Sequence, residues 1–352
     1  MVDLNDPKTF KDLDPKDVYS STKLFSDQCT QMLDEYFDVP FFEESNSHFK
    51  KIKNIVICGM GGSAYGGHVL LSLFHDEIKV PIVVNSDYKL PGFVDKETLV
   101  LPISYSGSTE EVLSCVEEAK EKGAKIAGFS SGGKLGEILK ENYPGFTFNP
   151  KNNPSGQPRL GTGYIVMGTL ILLNSLGVVK IDKSQFALAI NESEKNTDET
   201  DKTARNFAKE LKDSIPIIIA AEHLVGNAHI IRNQLNETSK STSMFEDIPE
   251  LNHHLMEGLK NPHDGKLKIL FLDSNLYSEI HKRRLFLTQD VVIKNNIEYV
   301  TYMAKGSTRL SQVFNVLSFG GFLTLYLGFL YGQDPSLIPW VDYFKEQLHK
   351  KD

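Results

Sequence analysis

Short runs of apolar, β-branched residues recur along this chain, and most are followed by a stretch whose apolar residues fall at helical spacing. The pattern predicts strands over residues 54–58, 80–85, 98–104, 124–129 and 143–148, and helices over 64–74, 109–122 and 132–142. Residues 26–38 read as a leading helix within an N-terminal helical segment, 1–50. A charged stretch, 184–211, reads as a solvated helical connector and marks a boundary between a first unit, 51–183, and a second, 214–352, with the connector spanning 184–213. Beyond it the pattern resumes, with strands at 215–221, 267–273 and 297–303 and helices at 226–237, 278–294 and 309–330. Strands alternating with helices, without a hairpin signal, predict an α/β fold with parallel sheets covered by helices on both faces.

Two long apolar stretches, 160–179 and 313–331, occupy similar places in the two halves. Both carry internal Gly, Ser, Thr or Asn and lack a one-sided basic flank, so they read as buried core helices rather than membrane spans. Their placement suggests a duplicated architecture, although the halves share little sequence.

Composition narrows the function classes. With 352 residues, 40% hydrophobic and 24% charged, the chain has room for two ordinary globular domains. A net charge of −8 argues against general nucleic-acid binding, so an anionic ligand would need a local positive pocket. The three cysteines, Cys29, Cys58 and Cys115, are odd in number and lack metal-ligand spacing. They point to a reducing, cytoplasmic setting without a disulfide framework or structural zinc. The acid-rich N-terminus carries no apolar signal-peptide segment.

The candidate chemistry begins at two turns, Gly59-Met60-Gly61-Gly62-Ser63 and Ser104-Tyr105-Ser106-Gly107-Ser108-Thr109, each between a predicted strand and helix. Glycines let backbone N–H groups approach an anion, and the helix N-termini that follow carry partial positive charge. Hydroxyls at Ser63, Ser104, Ser106 and Thr109 add donors. Neither turn contains a lysine, which excludes a Walker P-loop, and the first lacks the dinucleotide fingerprint. A phosphate monoester fits the pair, at the strand ends where open α/β sheets bind ligands. Arg159 sits in a polar loop ahead of an apolar helix. Glu237 closes a helix, where the dipole disfavours an acid. Only one of the adjacent His253 and His254 can face a given site, and no third ligand accompanies Glu257, so no metal is expected. Lys345 stands among Trp340, Tyr343 and Phe344. A phosphate grip, a carboxylate and cations form a set suited to sugar-phosphate enolisation, which needs no metal or redox cofactor.

Six stretches in order, GMGGSA (59–64), SYSGSTEE (104–111), PRLGTGY (158–164), RNQLNETSK (232–240), PELNHHLMEG (249–258) and GQDPSLIPWVDYFK (332–345), resemble the bifunctional phosphoglucose/phosphomannose isomerases, built from two sugar isomerase (SIS) domains. The resemblance implies two five-stranded parallel sheets and a homodimer. It implies that Gly61, Gly62, Ser63, Ser104, Ser106 and Thr109 hold the sugar phosphate and that Glu237 transfers the proton through a cis-enediol. It further implies that Arg159 screens the intermediate, that His253, contributed across the dimer interface, takes part in ring opening, and that Lys345 lies close to the sugar. Ser108, His254 and Leu259 depart from the family pattern, as does the segment Phe319-Gly320-Gly321-Phe322, without removing any of these groups. The activity so implied interconverts glucose 6-phosphate and fructose 6-phosphate, and mannose 6-phosphate with them. The alternatives are a non-catalytic sugar-phosphate sensor and an isomerase of another phosphosugar.

Overall fold

The computed structural model describes residues 2–42, 49, 51–261, 265–348 and 350. Three short helices come first, α1 (Pro7–Leu13), α2 (Val18–Lys23) and α3 (Phe25–Tyr36). The chain then runs β1 (Asn54–Cys58), α4 (Tyr65–Leu73), β2 (Ile82–Asn85), β3 (Thr98–Ser104), α5 (Glu110–Glu121), β4 (Lys125–Ile126), β5 (Gly128–Ser130), α6 (Gly133–Asn142), β6 (Gly145–Thr147) and α7 (Thr162–Ser175). The first sheet is parallel, in the order β2-β1-β3-β5-β6, with β4 also beside β3. Strands β4 and β5 are the two parts of the stretch expected as one strand. The break falls opposite Pro102 of β3, between the pairs Val100–Ile126 and Ile103–Phe129, because proline has no N–H to give the ladder. The winding reverses between β1 and β3, which places a ligand crevice at their carboxyl ends.

Residues expected as a solvated connector form α8 (Lys183–Lys195) and α9 (Thr197–Leu211). They are not fully solvated. Phe186, Ala189 and Ile190 of α8 and Ala204, Ala208 and Leu211 of α9 are buried. Their apolar positions are sparse enough for the intervening charges to hide the buried face in the sequence.

The second half continues β7 (Ile215–Ala221), α10 (Val225–Glu237), β8 (Met244–Ile248), α11 (Leu255–Gly258), β9 (Leu267–Asp273), α12 (Glu279–Lys294), β10 (Glu298–Met303), α13 (Arg309–Leu330) and α14 (Pro339–Leu348). Its sheet is parallel and, among the described residues, has four strands rather than five, in the order β10-β9-β7-β8. Strand β8 was not expected: it is an edge strand whose sequence, Met-Phe-Glu-Asp-Ile, carries two acids. The order β8-β7-β9-β10 repeats β2-β1-β3-β5, so the halves share one winding.

Helices α4, α7, α10 and α13 pack together, and one continuous apolar core runs through both halves. The two long apolar stretches are core helices: α13 is buried from Leu310 to Phe329, and α7 from Thr162 to Leu173. Helices α4 and α10 lie side by side and antiparallel. Tyr65 at the start of α4 feels the charges of Glu237 and Arg232 near the end of α10. Midway, the His68 and His229 rings stack with centroids 3.8 Å apart. At the far end, Ser72 Oγ accepts the Gly226 N–H at 3.2 Å.

Candidate active site

Both turns expected to cradle an anion lie at the carboxyl ends of β1 and β3. After β1 the chain enters a tight 3₁₀ turn, Gly61–Ala64, opened by Gly61 at φ +50°. A Cβ at Gly61 would meet nothing within 4 Å, so its peptide faces open space. After β3, Gly107 takes φ +70° and lies so close to the Gly132–Gly133 turn that a Cβ there would be 1.8 Å from the Gly132 carbonyl oxygen. That contact pins the second turn from behind.

The six residues of the expected cradle divide into two groups. Gly61 and Ser106 are exposed, and Gly62 and Thr109 half-buried, at the mouth of the crevice. Thr109 is also the N-cap of α5. Ser63 and Ser104 lie beneath this surface and are already bonded. Ser63 Oγ accepts the Tyr105 N–H at 3.0 Å, while Ser104 Oγ accepts the Gly107 N–H at 3.0 Å and lies 2.8 Å from Thr109 Oγ1.

Arg159 reaches the same place from the 3₁₀ turn Pro158–Leu160 that leads into α7. A Cβ at Gly62 would be 3.1 Å from its Cα, so the two segments are in contact. The guanidinium is nearly fully buried and held on every side. Nε donates to Thr238 Oγ1 (3.3 Å), Nη1 to Gln157 Oε1 (3.1 Å), and Nη2 to the carbonyls of Pro335 (2.6 Å) and Ser336 (3.0 Å). Behind the turn, Gln28 of α3 donates to the Leu160 carbonyl at 3.0 Å and accepts the Gly163 N–H at 3.0 Å. The leading helix therefore buttresses the arginine, a role that its sequence does not announce.

Glu237 is the last residue of α10 and half-buried. Burial lowers the Arg159 pKa, and the negative charge of Glu237 is the largest influence opposing that. Tyr65, fully buried, faces the same group: burial raises its hydroxyl pKa, Glu237 raises it further, and Arg159 and Arg232 pull it down.

Lys240 belongs to this cluster and was not singled out from the sequence. It sits in the left-handed region (φ +55°), and its Nζ donates to the carbonyls of Asp334 (2.7 Å) and Thr238 (3.2 Å). Burial, and then the Arg159 charge, bring its pKa down to about 8. The available signal was its position three residues after Glu237, which no spacing rule favours over a surface lysine.

His253 and Lys345 lie elsewhere. His253 ends the 3₁₀ turn Glu250–His253 after β8 and is exposed, beside His254, whose Nε2 is 4.0 Å from Glu250. Lys345 is exposed on α14, a helix without a buried residue that also exposes Trp340 and Phe344. Neither forms a hydrogen bond or ion pair with Arg159 or Glu237 within the chain, although Asp342 of α14 acts on Arg159 electrostatically. Among the described residues, no group of three or more His, Cys, Asp or Glu is placed to hold a metal ion.

Comparison with known proteins accounts for both halves. Residues 48–134 match the SIS domain family, and residues 200–348 the bacterial phospho-glucose isomerase C-terminal SIS domain. The chain is 35% identical over 321 residues to the bifunctional phosphoglucose/phosphomannose isomerase of Caldicellulosiruptor bescii, covering 86% of this chain and 91% of that protein. It is 31% identical over 301 residues to the protein of the same name from Aquifex aeolicus, covering 85% and 91%. In fold it is similar to the C-terminal domain of glucosamine-fructose-6-phosphate aminotransferase from Francisella tularensis, with a TM-score of 0.67 at 16% identity, covering 90% and 95% of the two chains. With its paired SIS architecture and identity above 30% along most of its length, the chain belongs to the bifunctional phosphoglucose/phosphomannose isomerase family.

Proposed function

We propose that the protein interconverts glucose 6-phosphate and fructose 6-phosphate, and accepts mannose 6-phosphate, by moving a proton between C1 and C2 through a cis-enediol. The observation that carries this reading is the electrostatic pairing of Arg159, packed against the turn that contains Gly62, with Glu237 from the opposite half of the chain. A sensor of sugar phosphates needs the turns alone. A proton-transfer enzyme also needs a carboxylate and a buried cation beside them.

The peptide N–H groups at Gly61 and Gly62, the Ser106 and Thr109 hydroxyls and the N-terminus of α5 receive the phosphate. Ser63 and Ser104 hold those donors in place. The Glu237 carboxylate takes the proton from one carbon and returns it to the other. Negative charge then develops on the enediol oxygens, and the Arg159 guanidinium, with its remaining freedom removed by four hydrogen bonds, stabilises it without reorganising. Lys240 adds a second cation. His253 acts in ring opening in the site of a partner subunit. Its exposure on a single chain supports that role, as does the uncovered apolar face of α14, which carries Lys345 toward the same homodimer contact. Three free, buried cysteines suit a reducing, cytoplasmic setting. The first SIS unit spans 51–183 and the second 214–352, joined through α8 and α9.

The test is a coupled assay on fructose 6-phosphate that scores both aldose products, run in deuterated water. Formation of glucose 6-phosphate and mannose 6-phosphate with deuterium at C2 is expected. No aldose product would leave the sensor reading, and product without solvent deuterium would replace proton transfer by a hydride shift.

A further inference from the structure

The second sheet has a switch point of its own, between β7 and β9, and a cavity of about 630 Å³ opens there. Its construction is that of the first site with the halves exchanged. Glu222, at φ +44°, opens the 3₁₀ turn Glu222–Leu224 after β7, as Gly61, at φ +50°, opens the turn after β1. Ser278 caps α12 as Thr109 caps α5, and Arg309 begins α13 much as Arg159 precedes α7. Because α4 and α10 are antiparallel, the far end of α4 brings His75 and Asp76 to this cavity, as the far end of α10 brings Glu237 to the first.

The polarity is reversed. A carboxylate stands where Gly61 leaves open space. Glu222 Oε1 accepts the Ser278 N–H at 2.8 Å and lies 2.8 Å from His281 Nδ1, with Arg309 3.5 Å from Oε2. The helix terminus and the cation that would greet a phosphate are therefore occupied by an internal anion. A left-handed, non-glycine residue stands at this turn in spite of its backbone strain.

What remains unpartnered accepts rather than donates. Gln312 gives its Nε2 hydrogens to Asn275 Oδ1 (2.7 Å) and the Gly306 carbonyl, which leaves its Oε1 to receive the Nε2–H of His223 at 2.9 Å. His223 Nδ1 is thus a bare acceptor, without a hydrogen-bond partner, on a residue only 1% exposed that lines the cavity, whereas Glu222 Oε2 is answered by the Arg309 charge. Asp76 and Asp247 line the same cavity, as does Phe245, whose ring stands 4.9 Å from that of His229 and has the Arg232 guanidinium 5.2 Å over it.

We propose that this cavity is a second binding site, for an uncharged hexose without a phosphate, whose hydroxyls donate to Asp76, Asp247 and the Glu222–His223 turn while its C–H face rests on Phe245. Carboxylates accept pairs of sugar hydroxyls, and the volume is ample for one hexose. A ligand here touches both α4 and α10, the two helices that continue into the first site. The inference does not rest on which phosphosugar the first site converts.

The experiment is calorimetric titration of the full chain with unphosphorylated D-glucose, D-mannose and D-fructose, repeated in Ser106→Ala, Asp76→Asn and Asp247→Asn. Saturable binding of at least one sugar, one per chain, is expected. It should be unchanged in Ser106→Ala, at least about tenfold weaker in each acid variant, and not displaced by inorganic phosphate. Amide hydrogen exchange on the unsubstituted chain supplies a readout that survives any misfolding of the variants: the sugar should slow exchange at residues 68–76 and 244–249. Failure of all three sugars to bind, loss of binding in Ser106→Ala, displacement by phosphate, or protection confined to residues 59–64 and 104–109 would each overturn the proposal.

Discussion

Ser63 Oγ accepts the backbone N–H of Tyr105 at 3.0 Å, and this bond joins the turn after β1 to the turn after β3. The two turns are 42 residues apart in sequence, and neither has its relative position fixed by local backbone alone. The cradle therefore has an outer layer that can meet a ligand and an inner layer that holds it in shape.

Different serine substitutions should separate these layers. Ser106→Ala removes an exposed hydroxyl whose internal contact is a 3.3 Å bond from the Ser108 N–H. A KM raised about tenfold with an unchanged melting temperature is expected. Ser104→Ala removes the side-chain acceptor of the buried Gly107 N–H, which keeps its 3.1 Å bond to the Ser104 carbonyl, a loss of roughly 0.5–1.5 kcal/mol. It should lower the melting temperature as well as raise KM. Steady-state kinetics and thermal unfolding on the two variants check this, and equal stability losses would remove the distinction.

Glu237→Gln keeps the size of the side chain and removes its basicity. A fall in kcat of about 10²–10⁴ with KM nearly unchanged is expected for loss of the group that carries the proton. Near-normal turnover would take the proton transfer away from Glu237.

Much of this candidate site could be read in the sequence because its parts are local. The two turns, Arg159 and Glu237 each sit at a strand or helix end, where glycines, hydroxyls and dipole-opposed charges leave a signature in neighbouring residues. Lys240 and Gln28 left no such signature. Lys240 becomes a site residue only through the fold around Arg159 and Asp334, and Gln28 through its reach across to the turn before α7. Strand β8 was hidden because an edge strand with one wet face tolerates Glu246 and Asp247 in place of the apolar run that marks a central strand. Charges concealed the buried faces of α8 and α9 for a related reason.

Gln28 should matter to catalysis without touching substrate. It is fully buried and serves the carbonyls of Ser21, Asn152 and Leu160 and the N–H of Gly163. Gln28→Met fills similar volume with no hydrogen-bonding group of comparable strength, so stability should fall by at least about 2 kcal/mol. Loosening of the Arg159 turn should also lower kcat more than it changes KM. Chemical denaturation and kinetics below the unfolding midpoint test the two effects separately, and an unchanged kcat in the folded variant would limit Gln28 to a stabilising role.

Lys240 should set the alkaline side of the pH profile. Its pKa is brought down to about 8 by burial and by Arg159, so the ammonium is present below that pH and disappears as pH rises through it. Losing that cation weakens stabilisation of the enediolate, so kcat/KM should fall above pH ~8. Lys240→Met should lower kcat/KM about tenfold on the plateau and abolish this limb, because no charge remains to be lost. Lys240→Arg should retain more activity and move the limb upward, since a guanidinium stays protonated throughout the range. Profiles of kcat/KM for the three proteins decide the matter: the same alkaline limb in all of them would assign it to another group, and a flat wild-type profile through pH ~8 would remove Lys240 from the chemistry.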